Sequence, residues 1–144
     1  MNLFDVLLAR KLAYKEAKKE EDKTIDSIIN GSISGIIKTD VSRVNNYAFA
    51  YCNIDGLDCT KTVTIGSYAF FSCSRIKVII LRGDLSAITN VNALNYTPFA
   101  SAGSGGTLYV PQSLIASYQS ADNWSTFLGY PNNQIKAIEG SIYE

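Results

Sequence analysis

The sequence contains no histidine, and its 144 residues carry no net charge, with 13 basic and 13 acidic side chains. Without histidine the chain cannot form a Ser-His-Asp triad or a Cys-His pair, and it lacks the ligand of the common zinc sites. Zero net charge disfavours non-specific binding to nucleic acid or to an acidic membrane, because both need a basic surface. The sequence therefore predicts no cofactor and no nucleic-acid partner.

Cysteine is scarce as well. Cys52, Cys59 and Cys73 are an odd number, and no two of them form a C-x-x-C pair. A disulfide framework needs an even and denser set, and a metal site needs more ligands at closer spacing. We therefore expect three buried, reduced thiols that pack as small apolar side chains.

Long apolar runs are also missing. No stretch of 18 apolar residues occurs, so no membrane span is predicted. Residues 1–13 have no cationic start, and Asp5 and Arg10 interrupt their apolar run, so they do not form a secretory signal. We expect the product to stay in the cytoplasm until it is assembled into a particle, or to reach the cell surface by another route.

Charge is concentrated at the start of the chain. Residues 1–23 hold eleven charged side chains, and the body that follows is poor in charge. Asn2 is an acceptable N-cap, and the apolar residues after it recur at helical spacing, which predicts a helix over residues 3–22. The apolar first half of this helix must be buried on the body or on a second copy, so self-association through it is one expectation.

The body of the sequence repeats itself. Residues 44–52 (VNNYAFAYC) align with residues 65–73 (IGSYAFFSC) at an offset of 21, and Tyr, Ala, Phe and Cys recur identically. After each Cys, the apolar positions of residues 54–59 match those of residues 76–81. A third, degenerate copy is expected to run through Val91 and residues 97–99 to residues 108–111. A period near 21 is typical of stacked repeats, in which each unit packs on its neighbours.

Stacked repeats need caps, because the outermost units would otherwise expose apolar surface. We assign the N-terminal cap to residues 25–37. At the other end, residues 112–121 are expected to form a short helix after Pro111, with Trp124 and Phe127 closing the last apolar layer. The predicted division is an N-terminal charged amphipathic helix (1–23), a repeat region (24–111) and a C-terminal cap (112–144).

The Tyr-Ala-Phe-x-x-Cys units resemble leucine-rich repeats of the BspA type, whose core is I-G-x-x-A-F-x-x-C followed by an L-x-x-I-x-L strand. Gly66 matches the glycine of that pattern, whereas Asn45 departs from it. Residues 2–6, 32–35 and 108–124 are similar to members from gut bacteria and their prophages. The resemblance implies a mainly β fold, a short leucine-rich-repeat-like solenoid with an N-terminal helix and a C-terminal helical cap. It also implies surface attachment or protein binding.

No catalytic set is present in the sequence. Residues 31–35 have isoleucine where a nucleophile elbow needs serine, and the glycines of residues 103–106 lack the spacing of a dinucleotide loop and the lysine of a P-loop. Asp55 and Asp58 are interpreted as solvated turn acids, because no feature indicates the cleft of a glycosidase. A carbohydrate-active protein that uses Asp55, Asp58 or Asp84 is the alternative.

The repeat strands predict a binding face. If alternate apolar residues point inward, their neighbours point outward. Val78 and Ile80 would then be exposed apolar residues beside charged ones, which is a mark of an interface; the alternative is that the helix or a cap covers them. We call the outward residues the strand face: Asp58, Thr60, Val78, Ile80, Arg82 and Tyr109.

Tyr47 and Tyr68 occupy equivalent places in the two clear repeats and are expected to stack on each other. Framework packing is the favoured interpretation, and an aromatic ladder that binds carbohydrate is the alternative.

The sequence as a whole predicts a non-enzymatic repeat scaffold that binds a protein or a host surface, associated with a prophage particle or a cell surface. A carbohydrate-active protein and a purely structural spacer are the alternatives.

Overall fold

A computed structural model describes residues 24–25, 34–100 and 104–144 of the chain. The helix predicted over residues 3–22, and the self-association assigned to it, lie outside these residues. The described chain forms two sheets of parallel strands, and successive strands alternate between the sheets as far as Thr107–Val110; the last strand joins the same sheet as the one before it. The short sheet contains Thr24–Ile25, Arg43–Val44, Thr64–Ile65 and Ala87–Ile88. The long sheet contains Ser34–Thr39, Asn53–Cys59, Val78–Leu81, Thr107–Val110 and Gln134–Ala137.

The repeated apolar positions form continuous rows through the core. Leu57 pairs in register with Ile79, and Ile79 pairs with Leu108. All three side chains are fully buried, because apolar residues of the same size recur one above the other in the stack. The prediction of a mainly β structure, with the strands of residues 54–59 and 76–81 in matching register, is confirmed.

The turns between the two sheets are as regular as the strands. Phe49 and Phe70 stack in parallel inside them, with ring centroids 5.3 Å apart. The backbone amides of Phe49 and Tyr51 donate to carbonyls of the next repeat at 2.7 and 2.8 Å. Backbone hydrogen bonds therefore join neighbouring repeats through their turns as well as through their strands.

Two sequence assignments change at the edges of the repeat region. The third repeat begins at Ile88, which pairs with Ile65, and not at Val91, which is exposed. The error arose because this repeat has extra residues, so that an offset of 21 no longer aligns it. Residues 25–37, assigned to a cap, supply strands to both sheets just as the repeats do.

The chain after Pro111 forms the predicted helical segment. A 3-10 turn at Gln112–Leu114 leads into helix α1 at Ile115–Ser120, and helix α2 follows at Trp124–Leu128. Trp124 and Phe127 are buried in the main core, as predicted. The indole of Trp124 donates to the Ser86 carbonyl at 3.1 Å, which fixes α2 against the repeats. None of the helices in the described part of the chain is long and apolar enough to cross a membrane.

Gly66 is required by the close approach of two repeats. A Cβ atom at this position would lie 2.5 Å from Oδ1 of Asn46 and 2.7 Å from the Asn46 backbone nitrogen. The amide of Ser67, the next residue, donates to that same Oδ1 at 2.8 Å. Only glycine leaves room for this contact, which explains why the second repeat keeps the glycine of the motif.

Gly66→Ala is therefore expected to lower the free energy of unfolding by about 1–3 kcal/mol, because backbone atoms of the preceding repeat must move. Urea unfolding monitored by circular dichroism measures the change. Ser67→Ala is the matched control, since it retains the backbone hydrogen bond and is expected to change stability by less than about 0.5 kcal/mol. Equal stabilities for Gly66→Ala and the unmodified protein would show that the repeats do not approach as described.

The three cysteines are buried as thiols, as predicted. Burial raises the pKa of Cys73 from 9.0 to about 12. It also raises the pKa of Cys59, and the neighbouring Asp58 carboxylate adds to that effect. Both thiols are thus held in their neutral form, in agreement with a packing role.

The raised thiol pKa predicts a loss of stability in alkali. Above pH 9 the unfolded chain releases the Cys73 proton while the folded chain retains it until about pH 12, so the free energy of unfolding falls across this window. Urea midpoints measured between these two pH values check the slope. Cys73→Ala is expected to reduce the slope and leave the contribution of Cys59, and a slope unchanged by that substitution would contradict the assignment.

Candidate functional site

The strand face lies on the outer side of the long sheet, where alternation places it. Asp58, Ile80 and Tyr109 are neighbours in register across three strands. The residues between them point into the main core, in agreement with the predicted period of two: Leu57, Cys59, Ile79, Leu81, Leu108 and Val110.

An ion pair occupies the middle of the strand face. Arg82 donates from Nε to Oδ1 of Asp58 at 2.8 Å and from a terminal nitrogen to Oδ2 at 3.0 Å. This two-point contact raises the pKa of Arg82. The other terminal nitrogen of Arg82 donates to the carbonyl of Tyr143 at 2.7 Å. Asp58 is buried by these contacts, so it is not the solvated turn acid expected from the sequence.

The expected exposure of Ile80 is wrong, because Ile80 is 0% exposed. After the strand Gln134–Ala137 the chain turns back over the outer side of the sheet. There the ring of Tyr143 packs on Tyr109 with centroids 4.8 Å apart, and its carbonyl accepts from Arg82. These contacts lie on both sides of Ile80, so residues 138–144 account for its burial. Of the two interpretations left open, a cover from the chain itself is correct at this position.

The remaining strand-face residues are half-buried: Thr60, Val78, Arg82 and Tyr109. The hydroxyl of Thr60 donates to the carbonyl of Thr39 at 3.2 Å. Thr60 and Arg82 also line a groove of about 420 Å³ that includes Asp84 and Pro111. The strand face is therefore brought together as predicted, but residues 138–144 occupy its centre.

Two of the three carboxylates considered for catalysis, Asp55 and Asp58, are held in ion pairs, whereas Asp84 is exposed beside the groove of Thr60 and Arg82. Asp55 accepts from Nε of Arg75 at 3.1 Å and from the amide of Gly35 at 3.1 Å. Gly105 and Gly106, from the glycine cluster, pack closely on Asn132 and Phe99. In the described ranges no group of three His, Cys, Asp or Glu side chains is placed to hold a metal ion.

A second surface, on the turns, combines exposure with aromatic character. Tyr47 and Tyr68 stack as predicted, with centroids 5.0 Å apart and an angle of 11° between the rings. Phe71 contacts Tyr68, Tyr51 and Tyr96 edge-on at 5.7, 5.4 and 5.3 Å. We call this connected set the aromatic row: Tyr47, Tyr51, Tyr68, Phe71 and Tyr96.

The backbone of the aromatic row is unusual for tyrosine. Tyr47, Tyr51, Tyr68 and Tyr96 all have φ between 56° and 62°, in the left-handed region. Bulky residues seldom adopt this conformation, which costs roughly 1–2 kcal/mol and is taken most readily by glycine or asparagine. Three of these tyrosines also leave more than half of their surface in solvent, since Tyr47 and Tyr51 are each 55% and Tyr96 is 73% exposed.

Tyr51 and Tyr96 occupy the same turn position in the first and third repeats. The amide of Tyr51 bonds to the Phe71 carbonyl, and the amide of Ser72, the counterpart of Tyr51, bonds to the Asn95 carbonyl. Tyr96 follows Asn95 as Ser72 follows Phe71. The sequence does not reveal this pair, because the second repeat has serine at this position and the third repeat does not align from Val91.

A polar groove adjoins the exposed end of the aromatic row. It has a volume of about 580 Å³ and is lined by the hydroxyls of Ser74 and Ser104 and the amide of Asn95 beside the ring of Tyr96. The hydroxyl of Thr97, at its floor, is buried and donates to the Leu94 carbonyl at 2.7 Å. Neither the row nor the groove lining contains a charged side chain. The nearest charge in sequence, Arg75, is neutralised by its ion pair with Asp55.

Stacked parallel strands, supplied in pairs by successive repeats, define a repeat scaffold. The chain belongs to the BspA-type leucine-rich-repeat family: residues 30–115, more than half of its length, match the family described as BspA type leucine rich repeat region (6 copies). This match confirms the resemblance drawn from the two Tyr-Ala-Phe-x-x-Cys units. A search of curated proteins and a search of solved structures found no significant match.

The exposure of Tyr96 predicts that its side chain is dispensable for folding. Tyr96→Asn removes one edge-on ring contact but relieves the left-handed backbone, and these effects are of similar size, so stability is expected to change by less than about 1 kcal/mol. Phe70→Ala, which empties a buried position, is expected to cost about 3–5 kcal/mol. Chemical unfolding of both variants checks the contrast, and a loss above about 2 kcal/mol for Tyr96→Asn would make Tyr96 part of the framework.

Proposed function

We propose that the protein is a non-enzymatic repeat scaffold that binds a protein or a cell surface through the aromatic row on its turns. The observation that carries this proposal is the exposed aromatic row on a rigid stack of repeats. Tyrosine supplies a large contact area with few rotatable bonds, and it is enriched among the residues that dominate binding energies. Family membership supports the same function, because BspA-type repeats are scaffolds suited to protein or surface binding.

The strand face is the weaker candidate for recognition. Its centre is filled by residues 138–144, so a partner would have to displace the contacts of Tyr143 with Tyr109 and Arg82. The aromatic row needs no such displacement. We therefore assign partner recognition to the aromatic row, and we assign Asp58 and Arg82 to holding residues 138–144 on the strand face.

Two further observations concern where the protein acts and whether it binds or hydrolyses its ligand. The resemblance of residues 2–6 and 32–35 to prophage-associated members supports a place on a phage particle or on a bacterial surface. The ion pairs of Asp55 and Asp58 favour binding over hydrolysis, since a catalytic acid must be free to exchange its proton.

Solid-phase binding tests this function. The labelled protein is applied to immobilised extracellular-matrix proteins, mucins and polysaccharides, and the reducing ends released are measured in parallel. We expect saturable binding to at least one of these surfaces with no product released. Tyr51→Asn/Tyr96→Asn should weaken binding about tenfold or more, whereas Ile142→Asn, which removes an exposed apolar side chain elsewhere, should not.

Two outcomes would contradict the proposal. Release of reducing ends that is abolished by Asp58→Asn would make the protein a carbohydrate-active enzyme. Absence of binding to every surface would favour a structural spacer.

A further inference from the structure

Two positions of the aromatic row carry tyrosine although other residues would make the turn more stable. At the equivalent turn positions Tyr51, Ser72 and Tyr96 the backbone is left-handed, with φ between 57° and 62°. Asparagine or glycine would fit this backbone at lower cost. Tyr51 and Tyr96 nevertheless place large rings there and leave more than half of their surface in solvent. Strain and exposure at the same residues indicate that the rings serve a ligand.

The chemistry of the surface restricts the class of ligand. The aromatic row and its groove present phenol rings, hydroxyls and one amide, with no charged group among the lining residues. A phosphate, an acidic polymer or a strongly charged peptide would find no counter-ion here. A neutral ligand with many hydroxyl groups fits, because its hydroxyls can bond to Ser74, Asn95 and Ser104 while its apolar C–H faces pack on the rings.

The arrangement of the rings restricts the shape of the ligand. Phe71 lies between Tyr51 and Tyr96, with centroid distances of 5.4 and 5.3 Å. These steps follow the stacking of the repeats, whose neighbouring strands are roughly 4.8 Å apart. The ring of Phe71 is turned by 78° from that of Tyr51 and by 86° from that of Tyr96. The two tyrosine rings, two repeats apart, therefore offer contacts separated by roughly 10 Å along the stack to a linear polymer.

We propose that the aromatic row and the adjoining groove bind a neutral polysaccharide that lies along the stack of repeats. The rings of Tyr51 and Tyr96 contact sugar faces, and the groove lined by Ser74, Asn95 and Ser104 receives the hydroxyls of the unit beside Tyr96. This proposal rests on the proposed binding function and names the ligand class of the same surface. It adds Tyr51 and Tyr96 as binding contacts beside the stacked pair of Tyr47 and Tyr68, which was interpreted as framework.

Affinity electrophoresis of the full chain tests the proposal. Native gels contain one of four neutral polysaccharides (laminarin, xyloglucan, mannan or dextran) or one of two acidic ones (alginate or heparin). We expect at least one neutral polymer to retard the protein, and the retardation to persist in high salt, because no ion pair contributes. The acidic polymers should have no effect.

Three variants connect the retardation to the site. Tyr51→Asn/Tyr96→Asn should raise the dissociation constant about tenfold or more without lowering the melting temperature. Ser72→Asn places the same side chain on the same left-handed backbone without removing a ring, and it should bind as the unmodified protein does. Ile142→Asn, which removes an exposed apolar residue outside the site, should also bind normally.

The outcomes separate this proposal from the broader binding function. Absence of retardation with all four neutral polymers overturns the polysaccharide assignment, as does retardation that the double variant leaves unchanged. If the double variant instead loses binding to an immobilised protein while no polysaccharide is bound, the scaffold function stands and the ligand is a protein surface. Retardation only by alginate or heparin, abolished by salt, would also overturn the assignment.

Discussion

The hydrogen bonds that join each repeat to the next are the constraint on which the structure depends. They continue from the strands into the turns, where the amides of Phe49 and Tyr51 bond to the second repeat and those of Phe70 and Ser72 bond to the third. A turn that must place its amides at this spacing has little freedom in φ and ψ. The left-handed residues of the turns are thus set by the stack, whatever side chain they carry.

This constraint gives the turns an uncommon combination of rigidity and exposure. Loops usually carry binding residues at the cost of mobility, but here each turn is bonded along the stack like a strand. The turn of Tyr96 accepts hydrogen bonds from the second repeat at the carbonyls of Ala93 and Asn95, and the ring of Tyr96 contacts Phe71. The ring is therefore held in place before a ligand arrives, which lowers the entropy lost on binding. The strand face, by contrast, is covered by the chain itself, because Arg82 and Tyr109 both contact Tyr143.

The sequence was most informative where residue type and position recur together. The identical Tyr-Ala-Phe-x-x-Cys units allowed the parallel stack, the buried cysteines and the pairing of Tyr47 with Tyr68 to be predicted. It could not reveal the cover of Ile80, because nothing in residues 138–144 marks them as a segment that returns to a particular sheet. Tyr96 was missed for a different reason: the extra residues of the third repeat shifted its alignment, and positive φ at a tyrosine has no sequence signature.

The most direct test of this account is native-state hydrogen exchange at the turn amides. If the turns are bonded along the stack, the amides of Phe49, Tyr51, Phe70 and Ser72 should exchange only through global unfolding, with protection equal to that of the strand amide of Ile79. Exchange of the four turn amides at the rate of open loops, with the strand protected, would show that the turns are not bonded along the stack. The aromatic row would then lack the rigid support on which its role in binding depends.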